Sequence, residues 1–77
     1  MLDKITCIAY LLYESSVNAD TKEKAIQLLN GDITIRDLKR NRLLQANVTL
    51  AESLFKKNKL DKSLVQQFAE QFMLVEN

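Results

Sequence analysis

The sequence predicts an all-α protein, a single-domain bundle of four or five helices. Its 77 residues include no proline and one glycine, Gly31, so the chain has few of the residues that sharp turns need. Hydrophobic residues make up 47% of the composition, which is more than a disordered chain contains. Apolar residues also recur at the spacing of helix faces. The hydrophobic content indicates a folded chain, and the other two observations favour helices over strands.

The first predicted helix runs from Lys4 to Ser15, with Asp3 as its N-cap. Its apolar segment, residues 5–13, contains one polar side chain, Thr6, whereas a surface helix keeps a whole polar face. Such a helix has to be surrounded by protein, and a chain this short has little to provide. We therefore expect the helix at the centre of the bundle or at an interface between copies, and we predict a homo-oligomer.

The second predicted helix begins at Asp20, whose side chain can cap it together with Glu23 three residues further on. It ends at Asn30 and Gly31, because glycine readily adopts the left-handed conformation that closes many helices. The loop before this helix spans residues 15–19.

The third predicted helix begins at Thr34, and Asp37 is placed to complete a capping box with it. Ile33 and Leu38 have the spacing of a hydrophobic staple across the same boundary. This combination makes the start of the third helix the most strongly indicated boundary in the chain.

The pattern stays helical from Ile35 to about Asn58, and one long helix is the favoured prediction. Two helices are the alternative, because Thr49 and Glu52 form a second capping-box pattern. The apolar stripe that a single helix would place on one face consists of Leu43, Leu44, Asn47, Val48, Ala51, Leu54 and Phe55.

Asp61 is predicted to cap the last helix, which runs from Lys62 to about Val75. We place Ile8, Leu12 and Phe68 in the core of the bundle. The inward face of the last helix is predicted to consist of Leu64, Val65, Phe68, Ala69, Phe72 and Met73.

Basic residues are concentrated in the middle of the chain, where residues 36–62 include eight Lys or Arg and three Asp or Glu. Arg36, Lys39 and Arg40 share one helix face, and Arg42 follows them closely. These four residues are candidates for contact with nucleic acid or with an acidic protein partner. An ordinary solvated helix face accounts for the same charges.

One segment of the chain, Leu28–Lys39 (LLNGDITIRDLK), resembles the start of the helix-turn-helix of the Trp repressor family. The resemblance implies a short helix, a sharp turn near residues 43–44 and a DNA-reading helix from about Asn47 to Phe55. That helix would offer Asn47 and Thr49 to base edges. It contains no Arg or Lys before Lys56, although arginine contacts are the commonest specific readout.

Catalytic chemistry has no recognisable motif in this sequence, and we predict a protein that is not an enzyme. There is no histidine, no glycine-rich phosphate loop and no cluster with metal-ligand spacing, so no catalytic residue, metal or cofactor is predicted. Cys7 is interpreted as a small buried hydrophobe.

The predicted partner-binding residues are Tyr10, Tyr13 and Leu11, because tyrosines suit interfaces with one apolar and one wet side.

The predicted function is that of a small non-enzymatic regulator that acts by binding another protein, such as an inhibitor, an immunity protein or a phage-type accessory factor. The alternative is a helix-turn-helix-like DNA-binding regulator that uses residues 36–42. The apolar segment near the N-terminus is too short to span a bilayer, and it lacks the flanks of an export signal. A cytoplasmic location is therefore expected.

Overall fold

Five α-helices make up the fold within residues 4–58 and 60–72, the part of the chain that the structure, a computed structural model, describes. The predicted all-α bundle is confirmed, and the described residues contain no strand. In chain order the helices are α1 (Lys4–Ser15), α2 (Ala19–Leu29), α3 (Ile35–Lys39), α4 (Arg42–Lys56) and α5 (Lys62–Phe72).

The first helix, α1, lies at the centre of the bundle and packs against α2, α4 and α5. Its predicted bounds are confirmed, while the predicted cap at Asp3 lies outside the described residues. Six of its twelve residues are buried, including four consecutive ones from Thr6 to Ala9 that point in all directions around the axis. The chain therefore covers α1 by itself, which removes the reason for expecting self-association. Self-association remains a prediction.

The core forms where the apolar faces of the other helices meet α1. Ile8 and Leu12 are fully buried and Phe68 is 4% exposed, which confirms the predicted core positions. Leu28 and Leu29 of α2 and Val48 of α4 belong to the same cluster.

The start of α2 differs from the prediction, because the N-cap is Asn18 and not Asp20. Asn18 is extended, with φ −94° and ψ 128°, and its side-chain oxygen accepts a 2.8 Å hydrogen bond from the Asp20 backbone N–H. Asp20 instead lies in the first turn, where a carboxylate complements the positive end of the helix. The capping box with Glu23 was therefore a wrong prediction.

The boundary between α2 and α3 is confirmed. Gly31 has φ 82°, and the backbone N–H groups of Gly31 and Asp32 donate to carbonyls of the last turn of α2, as in a Schellman motif. Thr34 and Asp37 exchange two 3.1 Å hydrogen bonds, so the predicted capping box is present. Leu38 is buried and Ile33 packs against the core beside it.

The single long helix from residue 35 was a wrong prediction, because the chain breaks at Arg40 and Asn41. The Asn41 side chain caps α4 by accepting a 2.9 Å hydrogen bond from the Leu43 N–H. The alternative boundary at Thr49 was also wrong, since that residue lies in the middle of α4. Leu38 and Leu44 are both buried although residues six apart on one helix lie about 120° apart, so the break lets both face the core.

Two leucines predicted to point inward are exposed. Leu43 is 87% exposed, because its neighbour Leu44 takes the inward position at the start of α4. Leu64 is 47% exposed beside the buried Val65.

Asp61 caps α5 as predicted, with a 2.8 Å hydrogen bond from the Ser63 N–H. The predicted contribution of Met73, and the predicted end of α5 near residue 75, lie outside the described residues.

Candidate interaction surfaces

Four aromatic rings join α1 to α5, and we call them the aromatic cluster: Tyr10, Tyr13, Phe68 and Phe72. The Tyr13 ring lies 5.3 Å from Phe68 and 5.1 Å from Phe72, and Tyr10 meets Phe68 edge-on at 5.8 Å. Burial raises the pKa of Tyr10, and the nearby negative charges of Glu14 and Asp61 act in the same direction. The rings therefore contribute to the stability of the bundle.

Of the three predicted partner-binding residues, Tyr10 and Tyr13 are half-buried and Leu11 is buried in the core. Leu11 is therefore not accessible to a partner in this structure. The two tyrosines line a shallow cleft that also includes the exposed Leu64. Both tyrosine rings already contact phenylalanines of α5 within the chain.

A larger depression, which we call the Val17–Leu43 groove, lies between the α1–α2 loop and the start of α4. It has a volume of about 650 Å³. Val17 is fully exposed and Leu43 nearly so, and both side chains line the groove. Single exposed apolar residues are ordinary, but two large ones facing the same concave surface are typical of a binding site.

The loop that presents Val17 is held in place by its own hydrogen bonds. The Ser16 hydroxyl donates to the Asn18 carbonyl at 3.2 Å and accepts from the Asn18 N–H at 3.1 Å. Nearby, the Lys22 ammonium donates to the Tyr13 carbonyl at 3.0 Å and lies 4.2 Å from the centre of the Tyr13 ring. Val17 is therefore exposed on an ordered loop, which lowers the entropic cost of binding.

The rim of the Val17–Leu43 groove is polar and carries two carboxylates, Asp20 and Glu23, and one ammonium, Lys24. Both carboxylates are exposed, and within the described part of the chain neither makes an ion pair.

The sequence analysis did not predict this groove, because it placed Val17 in a loop and Leu43 on the inward face of a helix. The adjacent leucines Leu43 and Leu44 were the available signal, since neighbours on a helix point about 100° apart.

The four predicted basic contact residues are all exposed, but they do not form one uniform patch. The Lys39 ammonium lies 2.9 Å from the Glu52 carboxylate and ties α3 to α4. Arg36, Arg40 and Arg42 make no ion pair among the described residues. The positive charge outside this ion pair therefore belongs to three arginines, one on α3, one in the turn and one at the start of α4.

The turn between α3 and α4 falls at Arg40 and Asn41, earlier than the residues 43–44 that the helix-turn-helix resemblance implied. The second helix of the pair is consequently Arg42–Lys56 and carries an arginine at its first position. Its outer face, which we call the α4 outer stripe, consists of the exposed Arg42, Gln45, Ala46, Thr49 and Leu50 and the half-buried Ser53.

The single cysteine, Cys7, is buried in α1, as interpreted from the sequence. Within residues 4–58 and 60–72, no group of three or more Cys, Asp or Glu side chains is arranged to hold a metal ion. No helix in this part of the chain is long and apolar enough to cross a bilayer.

No protein-family model matches this chain, and no curated protein or solved structure is significantly similar to it.

Proposed function

We propose that this protein is a small, non-enzymatic, cytoplasmic regulator that acts by binding another protein at the Val17–Leu43 groove. The single observation that supports this proposal most strongly is the pairing of two exposed, large apolar side chains in one concave surface. Inhibitors, immunity proteins and phage-type accessory factors act in this way, and they need a surface rather than reacting groups.

The rim of the groove indicates the chemistry of the partner. Asp20 and Glu23 offer two carboxylates without an ion pair beside the exposed apolar side chains, with Lys24 as the opposing charge. A partner segment with one or two apolar anchors and a flanking Lys or Arg would bury Val17 and Leu43 and pair with the carboxylates. The apolar anchors would contribute most of the affinity, and the rim charges would mainly raise the association rate.

The groove replaces the aromatic cluster as the main binding surface in this proposal. Tyr10 and Tyr13 pack on Phe68 and Phe72 within the chain, whereas Val17 and Leu43 have no such cover. A second copy of the chain is one occupant to test, because it would fulfil the predicted self-association through the groove instead of through α1.

The test compares two variants that each remove exposed apolar area. The double variant Val17→Ser and Leu43→Gln should keep its helical content and lose a partner that crosslinks to the native chain in source cells. The control, Leu64→Gln, changes an exposed leucine that does not line the groove and should keep that partner. Equal recovery with both variants would overturn the proposal, as would equal loss.

Sedimentation of the same variants tests the second copy as occupant. If the native chain forms a dimer that the Val17→Ser and Leu43→Gln variant abolishes, the partner is the chain itself. A dimer that is weakened only by changes at Tyr10 and Tyr13 would place the interface on the aromatic cluster and contradict the groove.

A further inference from the structure

The α4 outer stripe is a solvent-facing helix face made of polar, small and apolar side chains. Its six residues follow one another at spacings of three, one, three, one and three along α4, so they lie on one face. The face alternates polar side chains (Arg42, Gln45, Thr49) with small or apolar ones (Ala46, Leu50). It contains no acidic residue.

The charges around this stripe favour an anionic ligand. Arg36 lies on α3 and Arg40 caps the C-terminus of that helix, while Arg40 and Arg42 flank the turn residue Asn41. Glu52 pairs with Lys39. The Thr34 backbone N–H, and then the charges of Arg40 and Arg36, lower the pKa of the neighbouring Asp37. The four basic residues of segment 36–42 still outnumber these two acids. A positive potential therefore remains at the N-terminal end of α4.

We infer that the α4 outer stripe binds double-stranded DNA in the major groove, with Arg36 and Arg40 contacting the phosphates beside it. An α-helix fits the major groove, and its first turns reach the base edges. Arg42 matches the O6 and N7 acceptors of guanine, Gln45 matches the N6 and N7 groups of adenine, and Leu50 suits the methyl group of thymine.

This inference goes beyond the proposed protein-binding function and rests on different residues. The Val17–Leu43 groove uses the side of α4 that carries Leu43, Leu44 and Asn47, whereas the outer stripe begins with Arg42 and Gln45. The two surfaces lie on either side of the same helix, so a protein in the groove would be placed next to the DNA. A variant of one surface leaves the other unchanged, and the two proposals can fail separately.

The first experiment measures affinity for a short labelled DNA duplex with a randomised centre while salt rises from about 50 mM to about 200 mM. Replacing Arg36, Arg40 and Arg42 with Gln should make the slope of log affinity against log salt shallower by about 2 to 3. The matched control replaces Lys56, Lys57 and Lys62 with Gln, which removes the same charge from exposed positions at the end of α4 and the start of α5. We expect the control to retain most of the slope.

The second experiment selects preferred sequences from the same randomised duplex. Gln45→Ala should keep the salt slope and lose the preference at one or two base positions, while Gln66→Ala on α5 should change neither. The inference is overturned if the chain fails to bind the duplex at the lowest salt or if both triple variants lose slope equally. It is also overturned if no sequence is enriched and single-stranded RNA binds as tightly, because that result indicates charge attraction alone.

Discussion

Helices α1 and α4 of the same small bundle differ in how much of their surface is buried. Six of the twelve residues of α1 are buried, whereas only Leu44, Val48 and Ala51 are buried among the fifteen of α4. The hydrophobic composition of α1 is used inside the chain, and its few half-exposed residues pack on α5. α4 instead keeps a narrow core stripe and two solvent-facing sides. The comparison teaches that the most hydrophobic segment is the scaffold here, and the amphipathic helix is the place to look for function.

The largest expected effect comes from removing a core side chain of α1 and comparing it with an exposed leucine of α4. Leu12→Ala should lower the free energy of unfolding by about 2–5 kcal/mol, because Leu12 is fully buried. Leu43→Ala should change it by no more than about 0.5 kcal/mol. Urea denaturation measures both. Similar losses of unfolding free energy in the two variants would show that Leu43 is covered in solution, and α1 and α4 would then not differ in the way described.

The next effect tests whether the α3–α4 region depends on caps more than on burial. Thr34→Ala removes one hydrogen bond of the capping box and should cost about 0.5–2 kcal/mol of unfolding free energy. Thr49→Ala, at an exposed position inside α4, should be neutral or slightly stabilising because alanine is the better helix former. Thermal melts followed by circular dichroism separate the two. A larger loss of unfolding free energy for Thr49→Ala than for Thr34→Ala would contradict the start of α3 at Thr34.

A smaller effect belongs to the ion pair between Lys39 and Glu52, which joins α3 to α4 across the surface. Its coupling in a double-mutant cycle should be about 0.2–1 kcal/mol, because the lysine is 46% exposed and solvent screens the charges. The same cycle with Lys39 and Glu23, which form no ion pair, should give a smaller coupling. Equal coupling in both cycles would mean that the pair is not formed in solution.

The smallest effect is a pH dependence at the start of α3. The Thr34 backbone N–H lowers the pKa of Asp37. The Thr34 hydroxyl acts in the same direction, and the charges of Arg40 and Arg36 add to the shift. Because the folded-state pKa lies below the unfolded value, this contribution is present above the unfolded pKa and is lost as pH falls through the folded one. An NMR titration of the Asp37 side chain measures this pKa, and Thr34→Ala should move it upward. No change in that variant would mean that the capping box is open in solution.

The bounds of α1 and the boundary at Gly31 and Thr34 were predictable, because each is specified by several neighbouring residues. Gly31 has a backbone conformation that favours glycine, and Thr34 and Asp37 hydrogen-bond to each other across the same few residues. Local chemistry of this kind does not depend on what the rest of the chain does. The core positions Ile8 and Leu12 followed from spacing for the same reason.

The break at Asn41 and the cap at Asn18 were not predictable in this way. Asparagine is tolerated within helices and also caps them, so the sequence alone does not distinguish the two roles. The choice at Asn41 depends on burying both Leu38 and Leu44 in the core, which is a tertiary requirement. The same requirement leaves Leu43 in solvent. The groove and the outer stripe both follow from that one break, which explains why sequence reasoning found the basic residues but not the surfaces.

The burial of Cys7 gives the molecule a built-in reporter of its own opening. It is the sole cysteine of the chain, and it lies on the central helix with 6% of its surface exposed. A thiol reagent can reach it only when the packing around α1 opens, so the labelling rate measures the frequency of that fluctuation. A ligand that binds only the folded state should slow labelling in proportion to its occupancy, whichever surface it uses. One thiol thus allows either proposed partner to be titrated without attaching a probe to the binding surfaces.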